Sequence, residues 1–198
     1  MQLSDIKSRP IYDALRPDRN AKRHIAAAEG EGALGIEAAF ADDADVLGRT
    51  TIIYTPGASA SHGDRLAALR ADALHVLPST ETALTRLAGL LAASRMGTRL
   101  YVAGSEDFIG QVRALAAASG LDADAVHCEH RGSLARRVQC VHCKGFISDV
   151  TASPVPCAHC GNLLLVRDHY SRRLGAFMGV SVNAEAPDEV PAAEEFQP

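Results

Sequence analysis

The sequence predicts an α/β fold: a parallel, five-stranded, Rossmann-like sheet over residues 22–130, then a small β-rich module over 140–182 built around four cysteines. Three observations predict it. From Lys22 to His130, short β-branched or apolar runs alternate with longer Ala- and Leu-rich stretches, the pattern of strands alternating with helices. Two Cys-x-x-Cys pairs follow, Cys140 with Cys143 and Cys157 with Cys160. Between the two regions, residues 131–139 form a basic connector, and composition changes sharply after it.

Residues 1–21 are polar, carry Pro10 and Pro17, and read as an extended amino-terminal arm. The first strand is Arg23 to Ala28, followed by Gly30-Glu31-Gly32-Ala33-Leu34-Gly35 and a short helix over 36–41. The second strand, Thr50 to Tyr54, stops at Thr55-Pro56-Gly57, which contains a Pro-Gly turn pair. Leu66 and Leu69 mark a helix over 64–71. A third strand over 74–77 is closed by Pro78, and Ser79 starts a helix with Leu84, Leu87, Leu90 and Leu91 on its buried face. Arg99 to Ala103 is the fourth strand; Ser105 is an N-cap for a helix that turns Phe108, Ile109, Val112, Leu115 and Ala116 inward and ends at Gly120. The fifth strand is 125–128. Strands and helices in this order form a doubly wound sheet.

Composition narrows the class. Of 198 residues 47% are apolar and 22% charged, ordinary for a globular chain. No run of eighteen apolar residues exists, so no membrane span is expected. The amino terminus has no apolar core segment of the secretory kind, so the expected compartment is the cytoplasm. A net charge of -4 recruits neither nucleic acid nor anionic membrane globally. Residues 183–198 carry five carboxylates and no Lys or Arg, and are expected to form an acidic disordered tail.

The five cysteines point to metal rather than disulfides in a cytoplasmic chain. Thirteen residues separate the two pairs, and two such turns supply a tetrahedral four-sulfur site from Cys140, Cys143, Cys157 and Cys160. A module of about forty residues is too short for a sufficient core, so a metal would supply much of its folding free energy. Zinc is the expected occupant; rubredoxin-like iron uses the same ligands and would make a one-electron carrier. His142 and His159 read as surface side chains at the turns, and Cys128 as a small buried residue.

From Arg131 to Arg173 there are seven Lys and Arg against two Asp. A hairpin turning near Ser171 to Arg173 would bring Arg167, His169, Tyr170, Arg172, Arg173 and Phe177 together as a partner-docking surface, or alternatively as a phosphate-binding one. Salt-sensitive nucleic-acid binding is the third reading, and the acidic tail argues against it. Gly30, Gly32 and Gly35 are in the context of a dinucleotide loop, but Glu29 and Glu31 flank them, and no acidic ribose partner ends the second strand.

The order of elements from His24 to His130 resembles the nicotinamide-binding half of ferredoxin-reductase-type flavoenzymes. Tyr101-Val-Ala-Gly104-Ser-Glu-Asp-Phe108 and His127-Cys-Glu129 stand at the equivalent turn and last strand, with Ala103 and Ser105 in place of that family's cysteine and proline. The module from Cys140 through Leu163-Leu-Leu-Val-Arg-Asp-His-Tyr-Ser-Arg-Arg173 to Val180 resembles the DmmA-type subunit of bacterial dimethylamine monooxygenase. That resemblance implies an accessory subunit of a multi-subunit, heme-dependent, NADPH-driven system that converts dimethylamine to methylamine and formaldehyde. It further implies that NADPH, flavin and heme sit mainly on partner chains, and that this chain is not catalytic alone.

Overall fold

Five strands line up with their carboxyl ends on one side in the computed structural model, which describes residues 9–57, 61–182 and 190–196. They are β1 (Arg23–Glu29), β2 (Thr50–Thr55), β3 (Ala73–Val76), β4 (Thr98–Gly104) and β5 (Val126–His130). All pairings are parallel, in the order β3-β2-β1-β4-β5. The connecting helices are α1 (Gly32–Phe40), α2 (Ala44–Leu47), α3 (Gly63–Ala68), α4 (Thr80–Ala92) and α5 (Glu106–Ala118).

Two apolar clusters show that both sheet faces are covered, as a doubly wound sheet requires. Ile36, Phe40 and Leu66, from α1 and α3, join Ile52, Tyr54 and Tyr101 on one face. Leu87, Leu91, Phe108, Ile109 and Val112, from α4 and α5, join Ile25, Ile53 and Leu100 on the other. The two long helices start where the sequence places them. The Ser79 hydroxyl accepts the Thr82 N–H in a capping box, and the Ser105 hydroxyl accepts the Phe108 N–H. The first helix begins earlier than its apolar spacing indicates, at Gly32, because its first turn is pressed against β4: a Cβ on Gly32 would lie 2.0 Å from the Ala103 carbonyl oxygen.

The amino-terminal arm is tied to the sheet. Leu15 is buried, and its N–H donates to the Glu129 carboxylate. The Asp18 N–H donates to the Tyr101 hydroxyl at 2.8 Å. Beneath this arm the rings of His24, Tyr101 and His127 form a stack, with centroids 5.7 and 5.2 Å apart.

The second half contains β6 (Arg136–Cys140), β7 (Phe146–Val150), β8 (Ala152–Ser153), β9 (Val155–Pro156), β10 (Leu163–Ser171) and β11 (Ala176–Ser181). Five of these make a sheet in the order β7-β6-β11-β10-β9. Its inner face, with Val138, Val150, Tyr170 and Phe177, lies over α5. There Gly110 and Gly175 meet backbone to backbone: a Cβ on Gly110 would lie 2.4 Å from the Gly175 carbonyl oxygen. Gly175 also has a φ of 58°, which glycine adopts without cost.

The acidic carboxy-terminal stretch differs from the disordered tail expected. Its residues 183–189 and 197–198 lie outside the described residues, but β12 (Glu194–Glu195) pairs antiparallel with β8. The Phe196 ring covers the Arg136 guanidinium at 4.1 Å, an apolar and cationic anchor that net charge alone does not reveal. Among the described residues, no helix is long and apolar enough to cross a membrane.

Candidate metal centre and crevice

The four sulfurs of Cys140, Cys143, Cys157 and Cys160 all lie within 4.8 Å of one another. Two of the gaps are 3.9 Å (Cys140 to Cys160) and 3.7 Å (Cys143 to Cys157). Zinc–sulfur bonds of about 2.3 Å in a tetrahedron put sulfurs about 3.8 Å apart, so the 3.7 and 3.9 Å gaps match a tetrahedral ion and any wider one, up to 4.8 Å, would close around it.

Two matching turns build it. Lys144 N–H donates to the Cys140 carbonyl and Gly161 N–H to the Cys157 carbonyl, each at 2.9 Å. The residue after each second cysteine takes the left-handed conformation, Lys144 with φ 64° and Gly161 with φ 75°. Only the second turn uses glycine for it. Burial resists ionisation of Cys157, yet N–H groups of Cys160 and His159, with the neighbouring thiols, outweigh it and bring its pKa down to about 6. A thiol already disposed to lose its proton is a ready metal ligand.

His159 is no ligand. Its Nε2 lies 2.8 Å from the Phe146 carbonyl oxygen, and its ring occupies the space a Cβ on Gly145 would need. Cys128 packs at the edge of the second cluster, where burial pushes its thiol up to about 11; it is a poor nucleophile.

The hairpin of β10 and β11 turns at Arg172 and Arg173, both exposed along with His169. Arg167 is half-buried. Tyr170 and Phe177, read from the sequence as members of the same exposed surface, instead face inward at 7% and 1% exposure. A bulge between Arg167 and Tyr170 shifts the register, and the two rings pack edge to face at 5.0 Å. The outer face is lined by Leu163, Leu165, Met178 and Val180, all half-buried, because their neighbours Leu164 and Gly179 point the other way.

Of the three glycines, Gly30 has a φ of 52° and lines the crevice at the carboxyl ends of the strands, while Gly32 and Gly35 are packed against neighbouring groups. Gly32 serves the close approach of α1 to β4. A Cβ on Gly35 would lie 3.1 Å from the Glu129 carboxylate. Beside them the crevice at the carboxyl ends of the strands has a volume of about 380 Å³, lined by Glu29, Glu31, Ser105, Arg131, Ser133 and Asp149 among others. Residues that sequence reasoning passed over carry most of the polar structure here. Arg136, fourth-last before Cys140, is 4% exposed and joins Glu106 and Asp168. The strand alternation of Arg136 and Arg137 could have marked one of them as inward-facing.

Models of two domains, described as the N-terminal and C-terminal domains of dimethylamine monooxygenase subunit DmmA-like proteins, match residues 4–126 and 137–180. The chain belongs to this DmmA-like family. A relative from Ectopseudomonas mendocina (strain ymp), named heme-dependent oxidative N-demethylase delta subunit, is 36% identical over 142 residues, which cover 69% of this chain and 81% of the relative. Among solved structures, an intact type IV self-sufficient cytochrome P450 monooxygenase aligns with a TM-score of 0.48 and 25% identity over 69% of this chain. The ferredoxin reductase of carbazole 1,9a-dioxygenase aligns with a TM-score of 0.41 and 16% identity over 58%. This DmmA-like chain spans 20% of the first and 34% of the second.

Proposed function

We propose that this DmmA-like chain is an accessory subunit of a multi-subunit, heme-dependent, NADPH-driven monooxygenase that demethylates dimethylamine to methylamine and formaldehyde. Structural zinc at Cys140, Cys143, Cys157 and Cys160 makes its ribbon a docking module for partner subunits. NADPH, flavin and heme sit mainly on those partners. The observation that carries the reading is the match of both halves to the family, together with a relative named as a delta subunit.

The geometry supports the docking role. On the ribbon's outer face, Leu163, Leu165, Met178 and Val180 form an apolar strip, and Arg167, Arg172 and Arg173 rim it with positive charge. Asp168, beside Arg167 in the chain, pairs with Arg136 at 2.9 Å. A partner face with an apolar centre and an acidic rim would complement the strip and its rim.

Metal analysis with a visible spectrum on the untagged chain tests the zinc assignment. One equivalent of zinc without a visible band supports it; stoichiometric iron with a band that bleaches under dithionite would make the chain an electron carrier. Co-expression with the partner subunits tests the docking role. Leu165→Asp with Arg167→Glu should release this chain from the complex, and an undiminished complex would refute the surface.

A further inference from the structure

In open parallel sheets the crevice where strand order reverses is the place that takes anionic ligands, because helices begin there with unpaired N–H groups. In this chain the reversal falls between β1 and β4, and Glu29 is the last residue of β1. Its carboxylate turns into the crevice. It accepts the Ser105 N–H at 3.3 Å and the Ser105 hydroxyl as well, at the N-cap of the 13-residue helix α5. It also accepts the hydroxyl of Thr80 at 3.3 Å, in the first turn of the 13-residue helix α4. One internal carboxylate thus answers the positive ends of two long helices.

The rest of the side chain fills the space that glycines leave. A Cβ on Gly57 would lie 3.4 Å from Glu29 Cγ, and one on Gly104 would lie 3.1 Å from Glu29 Cβ. The approach at Gly104 is tight and favours glycine there, while at Gly57 the contact is an ordinary one and it is the φ of 60° that favours glycine. Among the described residues, what stays open beside it is lined by Glu29, Glu31 and Asp149 against one guanidinium, Arg131, and Arg131 is already paired with Glu129. A dinucleotide pyrophosphate brought there would meet carboxylates where it requires donors.

We infer that Glu29 is a built-in anion that takes the place of the dinucleotide phosphates, so that this Rossmann-like domain accepts no pyridine nucleotide and becomes an anion site when that carboxylate is removed. This inference rests on the crevice alone, so a failed docking experiment leaves it intact.

The test uses the full-length chain, wild type beside Glu29→Ala and Glu29→Gln. NADPH is titrated by calorimetry, and melting is followed in phosphate and in chloride at matched ionic strength. The wild type should show no saturable NADPH binding up to about 1 mM and no phosphate-dependent rise in Tm. Glu29→Ala should bind inorganic phosphate at least about tenfold more tightly, a change of about 1.4 kcal/mol, with a matching rise in Tm. If the alanine variant does not fold, the isosteric glutamine removes the charge but not the bulk and should show a gain of the same sign and smaller size. Wild-type NADPH binding below about 100 µM would overturn the inference, as would a folded variant no more responsive to phosphate than the wild type.

Discussion

Arg136 Nε lies 3.6 Å from a Glu106 carboxylate oxygen, with the two side chains 5% and 2% exposed, so a buried ion pair joins the first strand of the ribbon to the first turn of α5. The same guanidinium reaches Asp168 at 2.9 Å and is enclosed by the rings of Phe177 and Phe196 at 4.4 and 4.1 Å. Burial pushes the Glu106 pKa up, while Arg136 and Arg9 pull it down. The contact is ionic rather than a hydrogen bond, since Arg136 Nε and one Glu106 oxygen have no hydrogen-bond partner.

Removing one member leaves the other to its second partner, Arg9 at 3.7 Å for Glu106 and Asp168 at 2.9 Å for Arg136, both more exposed. Arg136→Met should destabilise the protein by about 3–5 kcal/mol, the range for breaking a buried pair from one side. Glu106→Gln should cost less, because a neutral amide needs no counter-charge. Denaturant unfolding of the two variants checks the order; equal and small losses would show that the guanidinium matters only for packing.

The halves are also joined through a contact that tolerates no side chain. Gly110→Ala places its methyl 2.4 Å from the Gly175 carbonyl oxygen, so the ribbon must lift from α5. Overpacking of this kind costs about 1–3 kcal/mol. The expected result is earlier proteolysis in the connector 131–135 than in the wild type, with the parallel sheet intact by circular dichroism.

Much of this organisation was legible from residue order. The alternation of Ile52-Ile53-Tyr54-like strands with Leu-spaced helices, and the caps at Ser79 and Ser105, place the sheet and its two long helices correctly. The four paired cysteines come together as their spacing indicates, since each Cys-x-x-Cys turn is a local structure. Long-range aim is different. Nothing local to Phe177 tells whether its strand face meets α5 or water, and nothing local to Glu29 tells that Gly104 leaves room for it. A strand's alternation defines two faces, and only tertiary packing decides which one is covered.

Metal removal gives a third expectation. The ribbon's own cluster around the sulfurs holds only Cys140, Cys157 and Leu164 fully buried, with a few neighbours, while each face of the parallel sheet carries a full apolar layer. Cys143→Ser, or a strong chelator, should unfold the ribbon first, since structural zinc contributes on the order of 10 kcal/mol. Amide exchange should then rise across 136–181 and stay low in β1, β2 and β4. Uniform protection after complete metal loss would contradict the metal's structural role.

Acid should weaken the fold through the stack under the amino-terminal arm. His24 is fully buried, and neither ring nitrogen has a hydrogen-bond partner. Burial lowers its pKa below 6.5; Arg49 and Arg99 add to this, and Asp18 and Asp43 oppose it. His127 is lowered too, by burial and then Arg99. A depressed histidine pKa means that the unfolded chain binds the proton first. The stability it contributes is complete above pH 6.5 and is lost as pH falls through the folded-state pKa. Glu106 and Asp107, raised by burial, act with the opposite sign in a window starting at their ordinary carboxylate range, so total stability mixes both. His24→Phe separates them: it keeps an aromatic ring against Tyr101, gives up no hydrogen bond and cannot titrate. The wild type should lose more Tm than His24→Phe between pH 7.5 and 5.5, while any loss from thiolate protonation at the metal site is common to both proteins. Parallel Tm curves for the two would show that His24 stays neutral in the unfolded chain as well, or that the folded protein accommodates its charge.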